Sequence, residues 1–202
     1  MTIIVASNNS HKVEEMSALL AETGVTLITM KEAGLCVDIE ENGTTFMENA
    51  LIKARYVCNA LGKPALADDS GLCVDVLGGE PGVYSARYAS VDGGNSSDEA
   101  NNEKLLEKLK GISGNERTAR FVSALALVFP DGREICATGI CEGLITTEKR
   151  GDGGFGYDPL FFCPEFSKTF GEISAEEKNS ISHRNRAVLQ LREKLKNLNT
   201  EE

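Results

Sequence analysis

The chain has 202 residues, 31 acidic against 21 basic, a formal net charge of −10 and a hydrophobic fraction of 41%. That length suits one domain, in two lobes at most, burying about 70% of its unfolded surface, and the apolar fraction excludes a disordered chain. The acidic balance argues against nucleic-acid polymers and anionic membranes, and the longest uncharged runs (1–11 and 121–130) fall short of the ~20 apolar residues a membrane span needs.

No charged segment leads into an apolar run with a cleavage site, so a cytoplasmic protein is expected. Residues 2–6 read as a short buried strand, followed by a polar turn at Ser7, Asn8, Asn9 and Ser10. A helix from about 11 to 22 carries Val13, Met16, Leu19 and Leu20 on one face. A second strand covers 25–30, and 36–44 reads as loop. The Thr45 to Glu48 spacing is a capping box opening a helix that ends at Gly62. Residues 64–67 form a brief strand running into Asp68-Asp69-Ser70-Gly71, and 72–76 forms another. The stretch 77–97, rich in Gly, Pro and Ser, reads as loop. Ser96 to Glu99 reads as a second capping box, for a helix to Lys110. Strands at 117–129 and 134–149, joined by Pro130-Asp131-Gly132, make a hairpin. A glycine-rich loop at 151–159 follows, then a mixed segment to Ser182, and a last helix runs from 183 to about 198. The order is mixed α/β, with 199–202 expected to fray.

The six cysteines show no C-x-x-C spacing and read as buried free thiols. With His11 and His183 the only histidines, a zinc site lacks nearby partners. Charge placement is more informative. Helix N-termini carry partial positive charge and disfavour cations there. Yet one helix opens with His11-Lys12 and another with His183-Arg184 and Arg186. A bound anion would turn that penalty into attraction; otherwise these side chains lean into solvent. Asp68-Asp69 at a strand end, with Glu40-Glu41 in a loop, suits either Mg²⁺ and a phosphorylated substrate or a capped, solvated pair. In Gly151-Asp-Gly-Gly-Phe-Gly-Tyr-Asp158, Phe155 and Tyr157 either stack on a flat ring, with Asp158 accepting from it, or plug a turn. Together these features point to a Mg²⁺-assisted enzyme or binder acting on a nucleotide-like phosphate.

The motifs Ser7-Asn-Asn-Ser-His-Lys12, Phe46-Met-Glu-Asn-Ala50, Leu66-Ala-Asp-Asp-Ser-Gly-Leu72, Gly78-Gly-Glu-Pro-Gly-Val-Tyr-Ser-Ala-Arg87, Gly154-Phe-Gly-Tyr-Asp-Pro159 and Glu177-Lys-Asn-Ser-Ile-Ser-His-Arg184 occur in this order. Over residues 3–196 the chain closely resembles the inosine triphosphate pyrophosphatase family, the XTP/dITP diphosphatases. One departure is Ser7-Asn8-Asn9, where many members have Thr-Gly-Asn. The resemblance implies an elongated mixed β-sheet with flanking helices, a single two-lobed domain over 1–198 around a central cleft, and a homodimer. It implies Mg²⁺-dependent hydrolysis of ITP, dITP and XTP to monophosphate and pyrophosphate. Carried onto this sequence, Ser7, Asn8, Asn9, Ser10, His11, Lys12 and Lys53 would bind the triphosphate, and Ser70 would touch substrate. Asp69 would hold metal and accept the proton of the attacking water. Glu40 would be the second metal carboxylate, with Asp68 and Glu41 as further candidates. Phe155, Gly156, Tyr157 and Asp158 would enclose the base, and Lys178, His183 and Arg184 would complete its end. Replacing Arg184 with Ala is expected to harm ITP selectivity more than the fold. Tyr84 and Tyr88 read as packing residues rather than dimer contacts, and Arg87 as a phosphate or interface arginine. A non-catalytic nucleotide sensor would not need Asp69 and Glu40. An aspartyl-nucleophile phosphatase would lack the base-loop aromatics, and Gly154–Pro159 with Ser182-His-Arg184 argues for purines over modified pyrimidines.

Overall fold

The computed structural model describes residues 1–21 and 24–198, so the expected frayed tail and the end of the first expected helix lie outside the described residues. The elements are β1 (Thr2–Val5), α1 (Ser10–Leu20), β2 (Thr26–Thr29), α2 (Phe46–Leu61), β3 (Ala65–Val74), α3 (Asp98–Lys108), β4 (Thr118–Val128), β5 (Glu134–Ile145), β6 (Phe161–Cys163), β7 (Lys168–Thr169), α4 (Ala175–Ile181) and α5 (His183–Leu198). The strands form one sheet in the order β2-β1-β3-β4-β5-β6-β7. β1 runs parallel to β2 and β3, whereas β6 is antiparallel to β5 and β7, which bears out the mixed α/β expectation.

Two compact units share these strands. The first comprises Met1–Asp69, Ser123–Gly139 and the chain from His183; the second comprises Ser70–Val122 and Ile140–Ser182. In the first unit, side-chain alternation along the strands builds two cores. Ile3, Val5, Leu66, Leu125 and Leu127 face α1 and α5, which contribute Met16, Leu20, Val188 and Leu191. Ile4, Ala6, Ala65, Ala67, Ala124 and Ala126 face α2, which contributes Ala50, Ala54, Val57 and Cys58. The run of alanines on that face leaves room for α2 to lie close to the sheet. The expected capping box is present at its start, and Gly62 caps its end. At Gly139 in β5 an added Cβ would lie 2.0 Å from the His183 carbonyl oxygen and 2.3 Å from the Ala187 nitrogen. Only glycine lets the start of α5 approach this strand so closely, and that approach fixes where His183 and Arg184 sit.

The second unit has one core, built from Leu72, Val74, Leu105, Leu109, Cys141 and Ile145 around an aromatic group. Phe121 and Phe161 have ring centroids 4.6 Å apart, and Phe170 stacks on Phe121 at 5.9 Å.

The largest departure from the sequence reading is β3, a single ten-residue strand where two short strands and a turn were expected. Asp68-Asp69-Ser70-Gly71 has turn composition, but tertiary partners for the two carboxylates override it. β1 pairs with β3 at Ile4–Ala65 and Val5–Leu66, so the aspartates lie just past the end of β1. The ligand edge of the parallel strands is therefore retained, although the chain does not turn there. Smaller corrections follow local chemistry. The cap of α3 is Ser97 rather than Ser96, its side chain accepting from the Ala100 nitrogen, and α3 ends at Lys108. The expected loop 77–97 contains a 3-10 helix over Gly82–Arg87. Tyr88 packs in the core as expected, but Tyr84 is exposed. Cys58, Cys141 and Cys163 are buried as expected, whereas Cys36 is exposed. Burial pushes the thiols of Cys58 and Cys73 up, away from the thiolate a nucleophile would need.

Candidate active site

The turn between β1 and α1 is organised by its own side chains. Asn9 caps α1, its side-chain oxygen accepting from the Lys12 nitrogen at 3.2 Å, and the Asn9 nitrogen donates to Ser7 Oγ at 3.1 Å. Asn8 donates to the Val37 carbonyl and to Asp38, tying the turn to the loop before α2. Asn8, Asn9, Ser10 and His11 are exposed, at the positive end of a helix with no acidic residue in its first turn. Lys12 turns inward, and its Nζ lies 3.1 Å from Asp68 Oδ2.

Asp68 and Asp69 are neighbours in β3 with opposite electrostatic settings. Asp68 is buried; Ser123 Oγ donates to its Oδ1 at 2.6 Å, and Arg184 donates to its Oδ2 at 3.1 Å. Burial pushes the Asp68 carboxyl up, but Arg184, Lys12 and Ser123 together outweigh it and hold Asp68 well below the usual carboxylate range. Arg184 is also paired with Glu15. Burial would lower its pKa, yet Asp68 and Glu15 raise it, so this arginine stays charged inside the first unit. Asp69 receives Lys53 Nζ on Oδ1 at 3.0 Å and Asn49 Nδ2 on Oδ2 at 3.3 Å. Burial dominates there, and Glu41 reinforces it against the pull of Lys53 and Lys12, so the Asp69 carboxyl is raised. One aspartate is a fixed anion and its neighbour is shifted toward proton uptake, the separation that assigns different roles to paired carboxyls.

Lys53 spends its three donors on Glu41 Oε1 at 3.0 Å, Asp69 Oδ1 at 3.0 Å and the Asp68 carbonyl at 3.1 Å. Its burial is more than offset by Asp69 and Glu41, which raise its pKa. It therefore reaches the carboxylates here. Of the two candidate glutamates, Glu41 is brought to Asp69, while Glu40 is exposed. Among the described residues no group of three or more His, Cys, Asp or Glu gathers as a metal cluster. The donor chemistry nevertheless fits a divalent ion: two hard carboxylate oxygens, from Glu41 and Asp69, lie 3.0 Å from one cationic nitrogen. Mg²⁺ commonly takes one or two carboxylates and completes its shell with water and phosphate.

In the second unit the glycine-rich loop is held by side chains as well as by backbone bonds such as Gly153 N–H to the Gly171 carbonyl at 3.0 Å. Asp158 Oδ2 accepts from the Phe155 nitrogen at 2.9 Å and from Lys178 Nζ at 2.7 Å, and Lys178 lies over the Phe155 ring, 4.7 Å from its centroid. Gly154 has φ +73°, and an added Cβ would lie 2.1 Å from Asp158 Oδ2, so only glycine fits. The Gly156 nitrogen donates to Asp98 at 2.7 Å, and its carbonyl accepts from Asn102 at 2.9 Å. Of the two readings of Tyr157, a stacking ring or a plug in the turn, its burial favours the plug. Its ring is buried in the core, its hydroxyl donates to the Ser85 carbonyl at 2.9 Å, and burial raises its pKa. Phe155 keeps a half-buried ring.

The structure thus gathers Lys12, Glu41, Lys53, Asp68, Asp69 and Arg184 in the first unit, and Phe155, Gly156, Asp158 and Lys178 in the second. His183, buried at the start of α5, helps lower Asp68, and Ser70 follows Asp69 along β3, half-buried. Asn49, Glu15, Ser123, Asp98 and Asn102 were not singled out from sequence. Asn49 stood inside a quoted motif.

A sequence model of the Ham1 family matches residues 3–194. The chain belongs to the Ham1 family. A dITP/XTP pyrophosphatase of Thermus thermophilus is 51% identical over 196 residues, covering 97% of this chain and 92% of that protein. The solved Ham1 protein of Staphylococcus aureus is 41% identical with a TM-score of 0.86, covering 98% of this chain and 99% of that one. The Ham1 protein of Coxiella burnetii is also 41% identical, with a TM-score of 0.85 over the full length of both chains. These Ham1 matches bear out the family resemblance read from the ordered motifs. Among the described residues no helix is long and apolar enough to cross a membrane.

Proposed function

We propose that this Ham1-family protein hydrolyses non-standard purine nucleoside triphosphates, ITP, dITP and XTP, to the monophosphate and pyrophosphate. It works with Mg²⁺, as a cytoplasmic homodimer, and clears these nucleotides before they enter DNA or RNA. The relatives' name, dITP/XTP pyrophosphatase, supports the substrate class. The observation that carries the chemistry is the buried set in which Lys12, Lys53 and Arg184 meet Asp68, Asp69 and Glu41 at the end of the parallel strands.

The turn from half-buried Ser7 through exposed Asn8, Asn9, Ser10 and His11 offers backbone donors and a helix N-terminus to the triphosphate, with Lys12 behind it. Glu41 and Asp69 would hold Mg²⁺, with Asp68 fixing the field beside them and Glu40 too exposed to lead. When bound, the ion neutralises phosphate charge. Water attacks the α-phosphorus, the bond from that phosphorus to the bridging oxygen breaks, and pyrophosphate leaves with the electron pair. Asp69 takes the water's proton; its carboxylate is held in place for this by Lys53 on Oδ1 and Asn49 on Oδ2. Lys53 already bridges Glu41 and Asp69, so it sets their spacing and supplies positive charge toward the phosphates.

Phe155 presents an aromatic face for a purine, and Lys178 and Asp158 fix its loop. A donor on the protein would favour the acceptor O6 of hypoxanthine and xanthine, and Lys178 is the cation beside the Phe155 ring. Adenine presents an amino donor there, and an unmatched polar group costs several kcal/mol, on the order of 10²-fold or more in selectivity. A steady-state panel of ITP, dITP, XTP, GTP and ATP, with separate assays for pyrophosphate and orthophosphate, tests the reading. Pyrophosphate release from the first three with slow ATP turnover is expected; ATP cleaved as fast as ITP contradicts it.

A further inference from the structure

The bonds on Asp69 come from one face of one helix. Asn49 and Lys53 lie four residues apart on α2, so their side chains project along the same side. Each takes a different oxygen of the Asp69 carboxylate, Asn49 on Oδ2 and Lys53 on Oδ1. Lys53 is charged and accounts for the electrostatics. Asn49 is neutral and has 0% exposure, and its amide has a second partner: Oδ1 accepts from the Gly43 nitrogen at 2.8 Å. Gly43 lies in the loop that carries Glu41, two residues before it. The amide orientation is dictated by these partners. Turned over, its oxygen would face the Asp69 carboxylate and its NH₂ would face the Gly43 N–H, two like-with-like contacts. The loop is built for the same contact, since an added Cβ at Gly43 would lie 2.7 Å from Asn49 Oδ1.

We propose that Asn49 is a positioning residue, its buried amide clamping the Asp69 carboxylate to the backbone of the Glu41 loop so that Asp69 keeps one orientation and one spacing from Glu41. The assignment rests on the reading of Asp69 as the group that receives the water's proton. Lys53 alone sets that orientation loosely, because a long flexible side chain can follow its oxygen as the carboxylate turns about its Cβ–Cγ bond. A bond on each oxygen removes that rotation. Positioning to within fractions of an ångström is the kind of contribution a neutral, unreactive amide can make to a reaction it does not touch.

The test compares Asn49→Ala and Asn49→Asp with the native protein and with Asp69→Asn. Readouts are kcat and KM for dITP with Mg²⁺, and the thermal midpoint without nucleotide, with kinetics run well below that midpoint. Asn49→Asp keeps the acceptor for Gly43 but loses the donor to Asp69 and sets a carboxylate against it. Both variants are expected to lose roughly 30- to 100-fold in kcat with KM changed less than about threefold. A lower midpoint with native kcat and KM would mean a purely structural amide and overturns the proposal. If Asn49→Ala and Asn49→Asp do not fold, Gly43→Ala decides it: the added methyl would lie 2.7 Å from both Asn49 Oδ1 and Glu48 Cβ, so it pushes the loop off the amide while keeping Asn49, and native kcat there overturns the proposal. Failure of the native protein to cleave dITP, or retained activity in Asp69→Asn, is a separate result that removes the underlying reading instead.

Discussion

In the first unit, Lys12, Lys53 and Arg184 meet Glu15, Glu41, Asp68 and Asp69 through side-chain ion pairs anchored on β3, α1, α2 and α5. In the second unit, the glycine-rich loop has no such grid. One carboxylate, Asp158, gathers Lys178 and the Phe155 nitrogen, while Asp98 and Asn102 hold the two backbone groups of Gly156. Apart from Glu41 on its loop, the charged set sits on regular elements, where buried ion pairs leave little reorganisation to do. The loop set holds backbone with a few side chains, which suits a site that must accept one planar ring and reject others of nearly the same shape. Damage to the first should therefore appear in kcat and in stability, and damage to the second in KM and in selectivity.

Asp69→Asn should break the contrast most severely. A fall in kcat of about 10³-fold, with dITP binding held within about tenfold, is expected from steady-state and calorimetric measurements. Residual turnover near the native rate would remove Asp69 from the chemistry. Next comes Arg184→Ala, where structure and sequence reading diverge. The residue is fully buried between Asp68 and Glu15, so its loss removes a buried cation from both carboxylates and should cost about 3–5 kcal/mol in denaturant unfolding. Loss of selectivity with native stability would restore the sequence-based expectation.

Acid titration sharpens the same point. The folded-state pKa of Asp68 is depressed, so its contribution to stability is fully present above the unfolded value of about 3.9 and is lost as pH falls toward the folded value. Asp68→Asn should flatten the acid limb of the stability curve, and an unchanged limb would show that other carboxylates dominate. In the second unit, Phe155→Ala should raise KM for ITP about tenfold, from roughly 1–3 kcal/mol of lost stacking, with kcat nearly unchanged. Asp98→Ala, which frees the Gly156 nitrogen, should raise KM only about threefold to fivefold, the value of one hydrogen bond. Equal effects of Phe155→Ala on kcat and KM would erase the division between the two regions.

Sequence reading reached the elements whose signals are local. The Thr45–Glu48 capping box, the Gly62 cap and the alternating strands of the first unit could all be read from neighbours along the chain. It stopped where partners are distant. Nothing near Asp68 announces Ser123, 55 residues on, or Arg184, 116 residues on, so a strand interior looked like a turn. The cations at the starts of α1 and α5 were correctly seen as out of place. The open alternatives were an anion or solvent, whereas Lys12 and Arg184 turn inward to carboxylates of the protein itself. Glu40 and Glu41 differ only by the side of the loop they face, which follows from where Lys53 reaches and not from composition. The glycines around Tyr157 left stacking and plugging both open, and its hydroxyl finds a buried carbonyl 72 residues away.

The most direct measurement is hydrolysis of dITP in ¹⁸O-labelled water with Mg²⁺, with the products separated and weighed by mass spectrometry. Attack at the α-phosphorus places the label in dIMP and leaves pyrophosphate unlabelled. Label in pyrophosphate, or orthophosphate as the first product, would contradict it.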